Sequence, residues 1–105
     1  MLFRSSQGTA HGRFQRALQR RNVRDAEMAA REIGQLSLID ALALVACYAR
    51  TGSPKFDQAA VRWLTRLADE RDTSLRDVRI AAATLEALRT KHHDLAEKML
   101  LRFLG

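Results

Sequence analysis

The stretch Ser37-Leu38-Ile39-Asp40-Ala41-Leu42-Ala43-Leu44-Val45-Ala46-Cys47-Tyr48-Ala49-Arg50-Thr51-Gly52-Ser53-Pro54 decides the fold. It opens on a helix start signal: Ser37 is followed three residues later by Asp40, a capping box with Asp in place of the usual Glu or Gln. From Ala41 to Ala49 the run is uncharged and apolar on every side of a helix. Such a helix belongs at the centre of a fold or inside an oligomer. It is far shorter than the roughly 20 apolar residues that span a bilayer. Thr51-Gly52-Ser53-Pro54 then stops it, with Ser53 suited to the N-cap and Pro54 to the first turn of a following helix.

Working outward, the same logic predicts six helices. Upstream, Phe14, Ala17 and Leu18 follow a 3.6-residue period, giving a helix over Thr9 to Arg21. Asn22 is a good N-cap for a helix from Val23 to Ile33, with Gly34 where a terminating glycine belongs. Downstream, Phe56, Ala59, Ala60, Trp63, Leu64 and Leu67 mark a helix ending near Asp69. Ser74-Leu75-Arg76-Asp77 repeats the start signal and opens a helix with Leu75, Val78, Ala82, Leu85 and Leu88 on one stripe. After the polar break Thr90-Lys91-His92-His93, Leu95, Ala96, Met99, Leu100 and Phe103 mark the last. The fold class is all-α: five to six short helices in antiparallel hairpins, as a compact bundle or a short solenoid. With 105 residues the chain is a single domain, 1–105, carrying a basic N-terminal segment, 1–24.

Composition agrees. One proline and five glycines suit helices, which need few breakers. The single cysteine, Cys47, lies in the apolar run and reads as a small buried hydrophobe; a secreted domain of this size would usually carry several, so a reducing, cytoplasmic setting is expected. No signal-peptide core follows Met1.

The net charge of +6 is unevenly placed. Residues 1–24 hold Arg4, Arg13, Arg16, Arg20, Arg21 and Arg24 and no Asp or Glu, leaving twelve basic and twelve acidic residues in the remainder. Such asymmetry hints at an anionic partner. On a helix, Arg13, Arg16 and Arg20 fall within about 60° of each other and about 120° from the apolar face. Arg13, Arg16, Arg20, Arg21 and Arg24 are therefore the candidate partner-binding residues, since guanidinium binds phosphate and carboxylate bidentately. Phe14 is the one aromatic among them, so contact with nucleic acid would be to backbone rather than by base stacking. Mitochondrial presequences share this composition, but we read the segment as retained. An arginine excess of fifteen over three lysines is also what a GC-rich genome produces.

Ala26, Ala30 and Ile33 are spaced 0, 4, 7, as are Ala60, Leu64, Leu67 and Ala96, Leu100, Phe103. The triplets begin 34 and 36 residues apart. A period near 34 with a small residue at a hairpin crossing resembles a tetratricopeptide-type array over about residues 10–104. The Gly-x-x-Tyr signature of that family is missing from all three units. From Phe14 to Leu67 the chain also resembles a group of small bacterial all-helical proteins to which no activity is assigned. The resemblance rests on Ala26-Glu27, Ala29-Ala30-Arg31-Glu32, Asp40-Ala41-Leu42 and Ala60-Val61-Arg62-Trp63-Leu64, and implies a helical fold and nothing further.

Catalysis needs a convergent set of polar groups, and the sequence offers none. His92-His93-Asp94 are adjacent and point apart, whereas helical metal ligands want i,i+4 spacing. Cys47 has no basic neighbour in the apolar run to activate it. No enzyme activity, cofactor or metal is expected. Trp63 on an apolar helix face reads as a core anchor or, if exposed, as an interface hot spot. The expected function is a non-enzymatic protein-interaction or adaptor module, self-association included. The alternative is nucleic-acid binding through the N-terminal arginines.

Overall fold

The computed structural model describes residues 9–105, which form six α-helices and no strand. They are α1 (Ala10–Gln19), α2 (Val23–Ile33), α3 (Leu38–Thr51), α4 (Phe56–Glu70), α5 (Leu75–Ala87) and α6 (His93–Arg102). Four of the six starts have a side-chain cap. Thr9, Asn22, Ser37 and Ser74 accept with their side chains from the backbone N–H of Gly12, Asp25, Asp40 and Asp77, relieving donors that no helical carbonyl can reach. Only half of the expected capping box forms at α3. The Asp40 carboxylate turns away from Ser37 to accept from His11 Nε2 at 3.0 Å and Gln15 Nε2 at 3.4 Å, tying α3 to α1.

The start of α4 differs from the expectation. Pro54 sits in a turn ahead of the helix rather than in its first turn, and Ser53 Oγ accepts from Lys55 N–H at 3.1 Å. Regular α-helix begins at Phe56, and Lys55 occupies the cap position without a side-chain hydrogen bond.

Three helices end the same way. At α1, Asn22 N–H reaches back to Ala17 O at 2.9 Å, and Arg21 N–H to Leu18 O at 3.0 Å. At α3, Ser53 N–H reaches Tyr48 O at 2.9 Å; at α4, Thr73 N–H reaches Ala68 O at 3.4 Å. These are Schellman closures, whose pivot residue must adopt a left-handed conformation. The pivots are Arg21 (φ 56°), Gly52 (φ 66°) and Asp72 (φ 47°).

Helices pack as the hairpins α1/α2, α3/α4 and α5/α6, with α4 against α5 and α2 against α3. Ala26, Ala60 and Ala96 are all buried in the second helix of each hairpin. α3 also packs against α1 and runs against α6 rather than α5. Arg50 near its C-terminal end clamps the first turn of α6, donating to Asp94 at 3.0 Å and Glu97 at 3.1 Å.

α3 is the most buried helix, with Leu38, Leu42, Val45, Ala46, Cys47 and Tyr48 all inside. The core divides in two. The larger cluster joins α3–α6 around Leu42, Trp63, Leu67 and Leu100; the smaller holds Phe14, Ala17, Ala26 and Ala29. Leu44 packs against both. Three apolar residues read as core face are exposed instead: Leu75 (75%), Leu95 (58%) and Met99 (42%). Leu75 is the first residue of α5, and the buried stripe of α6 runs through Ala96 and Leu100 and is continued by Leu104 just past the helix, which leaves Leu95 and Met99 on its flank.

Candidate interaction groove

The charge pattern singles out the N-terminal arginines. Arg4 lies outside the described residues. Arg13, Arg16 and Arg20 line the seam between α1 and α2, together with Asp25, Met28 and Glu32. Arg13 donates to the Glu32 carboxylate, and Arg20 lies 3.6 Å from Asp25. A segment free of acids in sequence is thus met by acids in space, since antiparallel pairing lays α2 along it. An incoming anion at Arg13 or Arg20 competes with a carboxylate already in place. Arg21 and Arg24 are exposed at the hairpin end and have no ion-pair partner among the described residues.

Other candidates are internal. Trp63 is 1% exposed and its indole N–H donates to Leu38 O at 2.9 Å. Of its two sequence readings this places the ring as a core anchor: an apolar face with one N–H partner within reach draws it inside. Cys47 is buried, and desolvation pushes its thiol pKa up, with Arg50 and Arg21 only partly offsetting this. Little thiolate forms at neutral pH, so it is a poor nucleophile. His11 contacts Asp40, and His93 Nδ1 lies 3.1 Å from Asp94. Among the described residues no group of three or more His, Cys, Asp or Glu side chains could hold a metal ion.

A concavity lies between α3 and α4. Two helical stripes face each other across it: Ala41, Leu44, Val45 and Tyr48 on α3, and Gln58, Ala59, Arg62, Trp63 and Arg66 on α4, preceded by Lys55. The turn Gly34–Leu36 walls one side. Gly34 has φ 90°, and a Cβ there would meet nothing, so the glycine serves backbone conformation rather than space. The groove encloses about 350 Å³. Its floor is apolar and its rim is cationic: Lys55, Arg62 and Arg66 line it, and no carboxylate does among the described residues.

No protein-family model, curated protein or solved structure gives a significant match to this chain.

The chemistry of the groove therefore rests on its own side chains. At one end Glu27 accepts from Lys55 Nζ at 2.8 Å and from the Tyr48 hydroxyl. These two donors, Lys55 foremost, hold the Glu27 carboxyl pKa below its ordinary value. Burial and the adjacent carboxylate push the Tyr48 hydroxyl pKa well up, so it stays a neutral donor. The triad pins α2, α3 and the start of α4 and makes this end of the groove rigid. Arg66 is held by Glu70 at 2.8 Å. Arg62 is exposed, has no ion-pair partner among the described residues, and its charge acts on Tyr48 across the groove.

Sequence reasoning missed this site. The signal was present: Lys55, Arg62 and Arg66 recur at helical spacing beside Ala59 and Trp63. In overall charge it is masked, because residues 25–105 hold twelve basic and twelve acidic residues.

Proposed function

We propose that this chain is a non-enzymatic protein-interaction module and that the groove between α3 and α4 is its contact surface. The observation that carries this reading is the pairing of an apolar floor with a rim lined by Lys55, Arg62 and Arg66 and, among the described residues, by no carboxylate, Glu27 and Glu70 reaching Lys55 and Arg66 from outside the lining. Concave, mostly apolar surfaces with a few placed polar groups are what binding sites are made of. The exposed apolar residues Ile80, Leu95 and Met99 on α5 and α6 add a surface that a second copy of the chain could cover. Among the described residues, no helix is long and apolar enough to cross a membrane.

The test replaces Ala59 with Arg, which fills the groove from a helical position without backbone strain. Capture from the native host is compared for the wild type and this variant, after circular dichroism shows both are folded. Proteins retained by the wild type and lost by the variant would support the reading; identical captures would end it. Sedimentation at rising concentration, with Leu95 and Met99 replaced by Gln, tests self-association.

Nucleic-acid binding is the second reading, favoured by Arg21 and Arg24, which are exposed and lack ion-pair partners among the described residues. Affinity for random DNA and RNA that falls steeply with salt, and flattens when these arginines become Gln, would favour it.

A further inference from the structure

Resting on that reading of the groove, we propose that its occupant is an acidic amphipathic helix of a partner protein, seated with its apolar residues on the floor and its carboxylates against Arg62, Arg66 and Lys55. Three features of the site point to this chemistry. The first is backbone satisfaction. Both long walls are α-helices whose central N–H and C=O groups are bonded within the helix. No strand edge exists among the described residues. An extended peptide laid in this groove would find few backbone partners, and buried unpaired amides are costly. A helix brings its own hydrogen bonds and asks only for shape and side-chain chemistry.

The second feature is size. The α4 stripe from Lys55 to Arg66 spans about 16 Å, or roughly three helical turns. The small side chains Ala41 and Ala59 open the floor beside Leu44 and Val45, leaving room for more than one bulky apolar side chain.

The third is charge. The lining holds three cations and no carboxylate among the described residues. Lys55 and Arg66 already share carboxylates with Glu27 and Glu70, while Arg62, between them on the rim, has no ion-pair partner among the described residues. Arg62 is thus the cation that an incoming carboxylate satisfies with least competition. A neutral helix would leave that charge without a partner, and a basic one would bring like charges together.

The experiment uses the full chain and synthetic helical peptides about three turns long. One set carries Leu at i, i+3 and i+7 flanked by Glu; a second replaces Glu with Lys; a third replaces it with Gln; a fourth is the Glu peptide with a central Pro. Random single-stranded RNA and double-stranded DNA serve as polyanion probes. Trp63 is the only tryptophan and is one of the residues lining the groove, so its indole N–H resonance is followed together with the backbone amides of Ala59, Arg62 and Arg66. The Glu peptide should shift these resonances. Arg62→Glu should weaken its binding about tenfold, and Arg79→Glu on α5 should leave it unchanged. The Pro-broken peptide should not bind. If the Lys or Gln peptides bind as tightly as the Glu peptide, the groove is a contact surface but the acidic occupant is wrong. If the Pro peptide binds equally, the helical occupant is wrong. If RNA or DNA shifts these resonances and displaces the Glu peptide, the site takes polyanions and the proposal fails. If no peptide shifts them, this proposal and the groove as contact surface fail together.

Discussion

Arg21 closes α1 with φ 56°, a conformation that costs an L-residue with a Cβ roughly 1–2 kcal/mol. Its backbone role was hidden behind its charge. Arg21→Gly should raise stability by about 1 kcal/mol, seen as a melting temperature about 4–8 °C higher, while Arg21→Val should lower it. Equal melting points for all three would show that this turn carries no strain. Glu27 offers a second test at the same scale. Its carboxyl pKa is lowered from 4.5 in the fold, so its contribution is fully present above the unfolded value and lost as pH falls through the lowered one. Glu27→Gln should cost about 1–2 kcal/mol at neutral pH, because Lys55 and Tyr48 lose a charged acceptor. The variant should also lose less of its stability than the wild type on acidification below about pH 4.5. Thermal melts of both proteins across that range decide it, and parallel curves would remove Glu27 from the account.

Among the elements, α3 bears the greatest burden. Leu42 is fully buried, so Leu42→Ala should cost about 2–5 kcal/mol by chemical denaturation. Leu75→Ala at the exposed start of α5 should stay within about 0.5 kcal/mol. A mild Leu42→Ala would mean the helix is peripheral. On the first hairpin, replacing Arg13, Arg16 and Arg20 together with Gln removes, among their contacts, the exposed ion pairs Arg13–Glu32 and Arg20–Asp25, each worth at most about 1 kcal/mol. The protein should stay folded, and a loss of structure by circular dichroism would show that these arginines hold the hairpin together. Much of this level was legible in the sequence. Asn22, Ser37 and Ser74 announce their helices because a side-chain oxygen must serve the orphan N–H groups, and Ala41 to Ala49 can only be a buried helix. The rest was not, because it depends on pairing across the chain. Nothing local says that Asp40 prefers His11 to its own cap, that Glu32 meets Arg13, or that the α6 stripe leaves Leu95 outside. Gly52 advertises a left-handed closure, whereas Arg21 and Asp72 reach the same conformation without a glycine to mark it. The groove was illegible for the same reason: its floor and rim come from two helices and a turn.

At the scale of the whole molecule, extents of 51 × 29 × 21 Å describe an elongated body whose apolar interior comes in two parts. Among the described residues, the smaller part, under α1 and α2, buries one large side chain, Phe14, and three alanines, with Leu18, Ile33 and Leu36 packed partly buried against them. Buried apolar area is what holds elements together, so the first hairpin should be the weaker region. Native-state hydrogen exchange should show α1 and α2 amides opening with a lower free energy than those of α3 and α4. Leu44→Ala, which trims a side chain packed against both clusters, should widen that gap. Uniform protection across all six helices would mean a single cooperative unit. The exposed turn at Gly34 and Gln35 joins the two parts. If the first hairpin lifts for about 3 kcal/mol, roughly one molecule in a hundred has it detached at any instant. A protease that prefers unfolded chain would then nick this turn at a rate set by that population, and the hairpin's lifetime in a cell would track Leu44 more closely than any arginine.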